Sequence, residues 1–583
     1  MLKAARIGSY LSLLSALLAS NCSVSEDTPK AEPPPSGGAD AGTDAPSSAP
    51  APLTFGGCPT GYQAECGFLE VPVDHGNPSG EKINVHIARK AATATATRQL
   101  WLLSGGPGQA GDIFNATVTA LAPKLPDTDI FVIDHRGTGL SHRLTCSQQD
   151  VAGSFGGYAL KPQDVPACLA ELKKNGDYDR LRYFTTAQAA KDLVSAIQAT
   201  RSPGQNVFVW GGSYGTHWAH RVLQVAPPDL MSGFIFDGFM TPSHFGFVDY
   251  DKGVDEVGQL FAAGCDADAS CAQHMGSPAF DKTRATFEKL RTTPCNGIDR
   301  DTARTYAAVF MGDWYMRQWI FPMVHRLDRC SADDQSTLTH FISAVNQAFS
   351  SSSGAAPDSP DNPKYRSSGI LQYNIVLSEL WTRSGQAEPT KAALQAAADA
   401  QTFLSVESYP ASIIDLRATW PLPPSDHADL KVPVATSIPL LWLAGGLDTR
   451  TPPSQSKEIV SLYPDQPFVL LAGAAHTPSE RSPIAGTTDN CGMLIVEKFV
   501  QTAKVDTSCK STLAPVLYEA SSDVIAQQFW GTTDDWGDGM SKAKTKANRS
   551  ATPSAEYAFD PKNVALSTQL ALRAAASRFR AMH

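Results

Sequence analysis

The sequence predicts an α/β fold: a mostly parallel sheet with flanking helices and a largely helical inserted cap domain. Two observations carry that expectation. Short apolar runs alternate with helical patterns from about residue 66 to 240, and the alternation resumes at about 434. Between 241 and 433 it stops, and mainly helical spacing with Pro/Ser loops replaces it. A chain of 583 residues suits one large body with a sizeable insertion. Its 42% hydrophobic and 18% charged residues are those of a globular chain. The formal net charge of -10 argues against a nucleic-acid partner, which would need a basic face.

Taken in order, the expected strands are 68–73, 83–88, 99–103, 129–133, 207–210, 232–236, 438–444 and 468–472. Helical spacing covers 187–200 and 216–226. Several of the strands end in glycine-rich turns: Ser104-Gly105-Gly106-Pro107-Gly108, Asp134-His135-Arg136-Gly137-Thr138-Gly139 and Gly211-Gly212-Ser213-Tyr214-Gly215. The chain divides into 1–22, 23–53, a first core part at 54–240, the insertion at 241–433, a second core part at 434–510, and an extension at 511–583 with no assigned role.

The N-terminus reads as an export signal. Lys3 and Arg6 precede a short apolar stretch at 7–20, too short and Ser-rich for a good membrane span. Cys22 follows Leu18-Ala19-Ser20-Asn21, a run that resembles a bacterial lipobox, although Ala19 and Asn21 depart from the usual residues. The resemblance implies a lipidated Cys22 as a membrane tether; the alternative is an ordinary cleaved signal. Residues 23–53, rich in Pro, Ala, Ser, Gly, Asp and Thr, read as a tether to the folded body. Setting Cys22 aside from the eleven cysteines leaves an even number. They fall in close sequential pairs: Cys58/Cys66, Cys146/Cys168, Cys265/Cys271, Cys295/Cys330 and Cys491/Cys509. Sequence cannot fix connectivity, and sequential disulfides are the expectation for an exported chain. None of these pairs has CxxC spacing, so structural roles are expected rather than metal binding.

Ser213 sits in a G-x-S-x-G pattern between an apolar strand and a helix-compatible run. That is the strand-turn-helix of a nucleophile elbow, the mark of the α/β-hydrolase fold, where the turn is so tight that small residues must flank the serine. A serine nucleophile needs a base. Of the thirteen histidines, His476 is placed best, in a loop after the last expected strand. Asp448, after the preceding strand, is the acid that would orient it. Asp237 is the rival acid. The oxyanion would be met by the N–H of Tyr214 and by that of Gly105 or Gly106. His217 and His220 are expected to pack on the helix after the elbow, and Asp134 and His135 to organise a turn.

Together these residues resemble the proline iminopeptidase and tripeptidyl aminopeptidase family, and the tripeptidyl aminopeptidase branch in particular. Ser104-Gly105-Gly106-Pro107-Gly108 is similar to its HGGPG loop, with Ser104 where His is usual. Asp134 to Ser141 is similar to its DxRGxGxS segment, and Gly211 to Thr216 to its GxSYGT elbow. Cys58-Pro59 to Cys66, Val71 to Asp74, Gly446 to Pro452 and the Cys491/Cys509 end fit the same branch. The glycine common after the histidine is replaced by Thr477. The resemblance implies release of one or a few residues from peptide N-termini, without metal or organic cofactor. Such an exopeptidase needs a carboxylate for the substrate α-ammonium, and Glu379 in the insertion is the candidate. Trp314, Tyr315, Trp319 and Trp381 are candidates for a pocket lining or for core. Two other readings stay open: an esterase or other small-molecule hydrolase on the same triad, and a binding protein on an inactive hydrolase body.

Overall fold

The central strands are apolar on both faces, and the structure shows why: helices cover both sides of the sheet. The computed structural model describes residues 53–58, 62, 64–151, 157–158, 160–240, 245–276, 278–351, 366–405, 410–421 and 432–539. The expectations for the signal, Cys22, the tether and 540–583 lie outside the described residues, apart from the last position of the tether.

Nine strands form one sheet: β1 Gly56–Gly57, β2 Glu65–Pro72, β3 Lys82–Lys90, β4 Arg98–Leu103, β5 Thr128–Ile133, β6 Asn206–Gly212, β7 Gly233–Asp237, β8 Leu440–Gly445 and β9 Phe468–Leu471. Their order is β1-β2-β3-β5-β4-β6-β7-β8-β9. The first three and the β3–β5 junction are antiparallel, and every pairing from β5 through β9 is parallel. Each expected run falls on a strand. β1 was not anticipated, since two glycines carry no side-chain pattern.

Alternate residues of each parallel strand enter different cores. Trp101, Leu103, Val207, Val209, Phe234, Phe236 and Trp442 pack with helices α3 (Thr186–Thr200) and α4 (Tyr214–Val225). Leu100, Leu102, Phe208, Trp210, Ile235, Leu441 and Leu443 face Leu121 and Phe499 on the other side. The edge strand β9 alternates buried Val469 and Leu471 with partly exposed Phe468 and Leu470. Before α3 the helices are α1 (Asn115–Leu121) and α2 (Val165–Asn175). Thr185 caps α3 by accepting the N–H of Gln188, the expected chemistry at a helix start.

Between β7 and β8 lie α5 (Tyr250–Ala267), α6 (Ala269–Met275), α7 (Ala279–Thr292), α8 (Arg300–Met311), α9 (Ile320–Arg329), α10 (Ala332–Ser351), α11 (Gly369–Ser378), α12 (Lys391–Ala400) and α13 (Pro410–Thr419). They divide by what they pack against. Residues of α5 through α10 build a core of their own around Phe261, Phe310, Trp319, Phe321 and Phe341. Residues of α11, α12 and α13, among them Ile370, Leu371, Leu394 and Ile413, join the core on the α3/α4 side of the sheet. Trp314, Trp319 and Trp381 are all buried, and Tyr315 partly so.

α14 (Ser456–Leu462) lies between β8 and β9, and after β9 come α15 (Cys491–Thr502) and α16 (Asp523–Trp530). The extension, to which the sequence assigned no role, has one through residue 539. Ile525, Ala526, Phe529, Trp530 and Trp536 complete the α5–α10 core, with Trp530 stacked on Phe341 at 3.9 Å and 7°. Disulfides join all five sequential cysteine pairs.

Candidate active site

Ser213 stands alone between β6 and α4, with φ 56° and ψ -124°. That conformation is rare for a residue with a Cβ, and strained residues of this kind gather at functional sites. The neighbouring glycines make it feasible. A Cβ on Gly215 would lie 2.2 Å from the Leu103 carbonyl oxygen, and one on Gly211 would lie 2.1 Å from the Gly215 oxygen. The N–H of Ser213 donates to the Asp237 carbonyl at 3.0 Å, which ties the elbow to the end of β7.

The turn 104–108 runs against the serine. A Cβ on Gly105 would be 3.1 Å from the Ser213 Cβ, close enough to press on the serine. Gly106 has φ 109°, again a conformation suited to glycine. Ser104, which replaces the family's usual His, donates its hydroxyl to the Gln109 carbonyl at 2.8 Å and closes the turn. Tyr214 is the first residue of α4, so its N–H has no intrahelical acceptor and sits at the positive end of the helix.

His476 and Asp448 are brought together. His476 Nδ1 lies 2.9 Å from each oxygen of Asp448. Asp448 is fully buried, and it also accepts the N–H of Arg450 at 2.8 Å, the N–H of Thr451 at 3.0 Å and the Thr451 hydroxyl at 2.6 Å. Burial pushes its pKa upward, but the His476 charge and these hydrogen bonds together hold the carboxyl below its ordinary value. With Nδ1 bound to the acid, Nε2 is the nitrogen left for a serine proton. Gly238 joins the two halves: it follows Asp237, and a Cβ there would meet His476 Nδ1 at 3.1 Å.

Thr477, where the family usually has glycine, has φ 53°. A β-branched residue there is a genuine outlier. Its hydroxyl donates to the His476 carbonyl at 2.7 Å, and Arg481 Nη1 donates to the same carbonyl at 3.1 Å and to the Thr477 hydroxyl. These bonds hold the carbonyl of the histidine.

The rival acid Asp237 points elsewhere. Its carboxylate accepts the N–H of Ser479 at 3.1 Å and the Ser479 hydroxyl. Burial pushes it up to about 7, against the pull of those two bonds. Asp134 accepts from Gly111 N–H at 2.7 Å, Leu140 N–H at 3.0 Å and Tyr62, and it contacts His86 Nδ1 at 2.8 Å, a turn organiser as expected. His135, pushed down to about 4 by burial, supports the elbow: its Nε2 lies 3.2 Å from the Tyr214 hydroxyl. His217 and His220 are buried along α4.

Glu379 is buried rather than exposed on a helix. One oxygen accepts the N–H of Thr186 at 3.0 Å, and the other lies 3.9 Å from His217 Nε2. It stands close enough to Tyr214 for its charge to add to burial in raising that phenol's pKa. Sequence reasoning missed two partners of the triad. Thr451 had a usable signal, a hydroxyl three residues after an acid in a turn. Arg317, treated below, had none. Among the described residues no cluster of His, Cys, Asp and Glu could hold a metal ion.

Residues 100–271 match the family described as alpha/beta hydrolase fold. With the sheet and the elbow, this makes the chain an α/β-hydrolase-fold protein. A tripeptidyl aminopeptidase of Streptomyces coelicolor is 28% identical over 201 residues, covering 31% of this chain and 36% of that protein. The serine protease Hip1 of Mycobacterium tuberculosis is 27% identical over 228 residues, covering 36% and 42%. The alignments thus span well under half the length of these relatives. A solved proline iminopeptidase of Mycobacterium smegmatis is 14% identical, with a TM-score of 0.30 over 75% of this chain and 96% of that one, a likeness too slight to argue from.

Two outcomes follow from the two acids. Asp448→Asn should lower kcat by about 10⁴-fold, because the amide stabilises the wrong imidazole tautomer. Asp237→Asn should leave most of the turnover; the reverse ranking in steady-state kinetics would reassign the acid. Below about pH 7 folded Asp237 holds a proton that the unfolded chain releases near pH 4, so its contribution to stability is lost as pH rises through that window. Asp237→Asn should therefore gain stability over the parent at pH 8 relative to pH 5. Urea unfolding at both pH values checks this, and an equal difference at the two would contradict it.

Proposed function

We propose that the protein is an exported serine hydrolase, specifically an aminopeptidase that releases one or a few residues from peptide N-termini. The observation that carries the hydrolase reading is His476 Nδ1 bridging both oxygens of the buried Asp448, in loops that follow the C-terminal ends of parallel strands, as Ser213 does in its strained turn. Ser213 Oγ attacks the scissile carbonyl and its proton passes to His476 Nε2. Asp448 stabilises the imidazolium that forms. The tetrahedral oxyanion is met by the Tyr214 N–H at the start of α4 and by an N–H of the Gly105–Gly106 turn. His476 then gives the proton to the leaving amine. Water, activated by the same imidazole, releases the acyl group from Ser213.

The aminopeptidase specificity draws support from the motif resemblance and from the names of the partial relatives. Glu379 is the carboxylate proposed to recognise the substrate ammonium, and its place beside Tyr214 and His217 supports that choice. Export draws support from the five disulfides, which persist in oxidising compartments. Lipidation of Cys22 would make the exported chain a membrane-tethered lipoprotein of the cell envelope.

Hydrolysis of matched peptides with free and acetylated N-termini, beside a simple ester, tests the substrate class, with Ser213→Ala as the inactive control. Free-amine peptides should be cleaved and blocked ones spared, and Glu379→Gln should erase that preference. Equal cleavage of both, or turnover of the ester alone, would move the function to the esterase reading. Mass spectrometry of the mature N-terminus should find a diacylglyceryl group on Cys22; an unmodified terminus beyond that residue would exclude the lipoprotein.

A further inference from the structure

Arg317 lies in the insertion, in the single turn Met316–Trp319 that leads into α9, and it has no exposed surface. Its Nε donates to the Met311 carbonyl at 3.1 Å, within the insertion. The other two nitrogens leave it. Nη1 donates to the Gly473 carbonyl at 3.0 Å, and Nη2 donates to the Leu447 carbonyl at 2.5 Å. Leu447 immediately precedes Asp448, and Gly473 stands three residues before His476.

Both peptide units are also held from their other side. The N–H of Asp448 donates to the Gly445 carbonyl at 3.3 Å, and the N–H of Ala474 donates to the Leu471 carbonyl at 3.0 Å. The two loops meet directly as well, through Leu447 N–H to the Ala474 carbonyl at 3.0 Å. Arg317 thus supplies the remaining hydrogen bond to each peptide plane. A guanidinium suits this task because its N–H groups project at fixed angles from one plane and none can accept. Burial pulls Arg317 down to about 10, opposed by Asp313, Asp448 and Tyr518, so it stays charged at neutral pH.

We infer that Arg317 is a positioning residue for the triad: by bridging the Leu447 and Gly473 carbonyls it sets the spacing of Asp448 and His476. This rests on the serine-hydrolase reading above. It makes the insertion a structural part of the catalytic centre and not only a cover for it. Lysine in this place keeps a charge but cannot span two carbonyls in fixed geometry.

The test compares the full-length protein with Arg317→Lys and Arg317→Ala, following kcat, KM and Tm. In parallel, the low-field proton resonance of the His476 Nδ1–H shared with Asp448 is recorded. Arg317→Lys should lose about a hundredfold in kcat with KM unchanged, the scale expected when reacting groups are misplaced by about 1 Å. Millimolar guanidinium should restore part of the turnover of Arg317→Ala. The His476 resonance should shift or broaden in Arg317→Lys. A folded lysine variant with parental kcat and an unshifted resonance overturns the inference, as does a fall in Tm with kcat per folded molecule unchanged. If Arg317→Ala does not fold, the lysine variant decides alone. If the parent protein shows no turnover, the hydrolase reading fails by itself and the resonance still decides the role of Arg317.

Discussion

The site depends on how closely three backbone segments approach beneath Ser213. The end of β4, the end of β6 and the first turn of α4 meet at separations that exclude any Cβ at Gly211 or Gly215. This close approach leaves only one residue to turn the chain from strand to helix. Ser213 pays for the turn with a positive φ. In return its side chain stands past the C-terminal end of β6, beside the N-terminus of α4, where developing negative charge is favoured. The same economy of space recurs at the other half of the triad. A Cβ on Gly445 or Gly446 would collide with carbonyl oxygens of 472–475, so the acid loop and the histidine loop lie backbone to backbone.

Around that packing the charged groups take distinct roles by environment. Asp237 ends β7 and Asp448 stands in the loop just after β8; both are buried, yet their pKa values are shifted in opposite directions. The difference lies in what faces each carboxylate: an imidazole and three further donors for Asp448, and a single serine for Asp237. Only the first can both stay ionised and hold a histidine tautomer. Arg136, fully buried, pairs with Asp192 at 2.6 Å and donates to the Val73 and Tyr183 carbonyls, fastening α3 to the segment that carries His135 under Tyr214.

Most of this was legible in the sequence. Buried parallel strands have to be continuous apolar runs, and the G-x-S-x-G spacing has few other uses directly after such a run. Asp448 and His476 were placed by two signals together: each lies in a loop after a late strand, and they follow Ser213 in the chain order that this fold's triads take. What was not legible depends on contacts distant in sequence. The choice between Asp448 and Asp237 turns on which carboxylate the imidazole reaches, and no local pattern encodes that. Glu379 follows a helix that is apolar on nearly every side, a sign of burial, but the neighbours of its carboxylate, Thr186 and His217, lie far away in sequence. Thr477 looked like a simple departure from the usual glycine, whereas its side chain and Arg481 secure the histidine carbonyl. The extension after 510 lacks periodicity because it packs a few large residues, Phe529, Trp530 and Trp536, into a core made two hundred residues earlier.

That last feature fixes an order of events during synthesis. The helical core of α5–α10 emerges before β8 and β9, but its final aromatic layer, Phe529 on Trp319 and Trp530 on Phe341, arrives only after the sheet is complete. The sheet in turn waits for the insertion, since β8 pairs with β7 across it. Each half of the molecule is therefore finished by chain made after the other has begun. A nascent chain released early would carry bare aromatic surface into the solvent, the kind of surface on which chaperones act. Nested connectivity of this sort makes residues 56–539 a single unit of folding quality control.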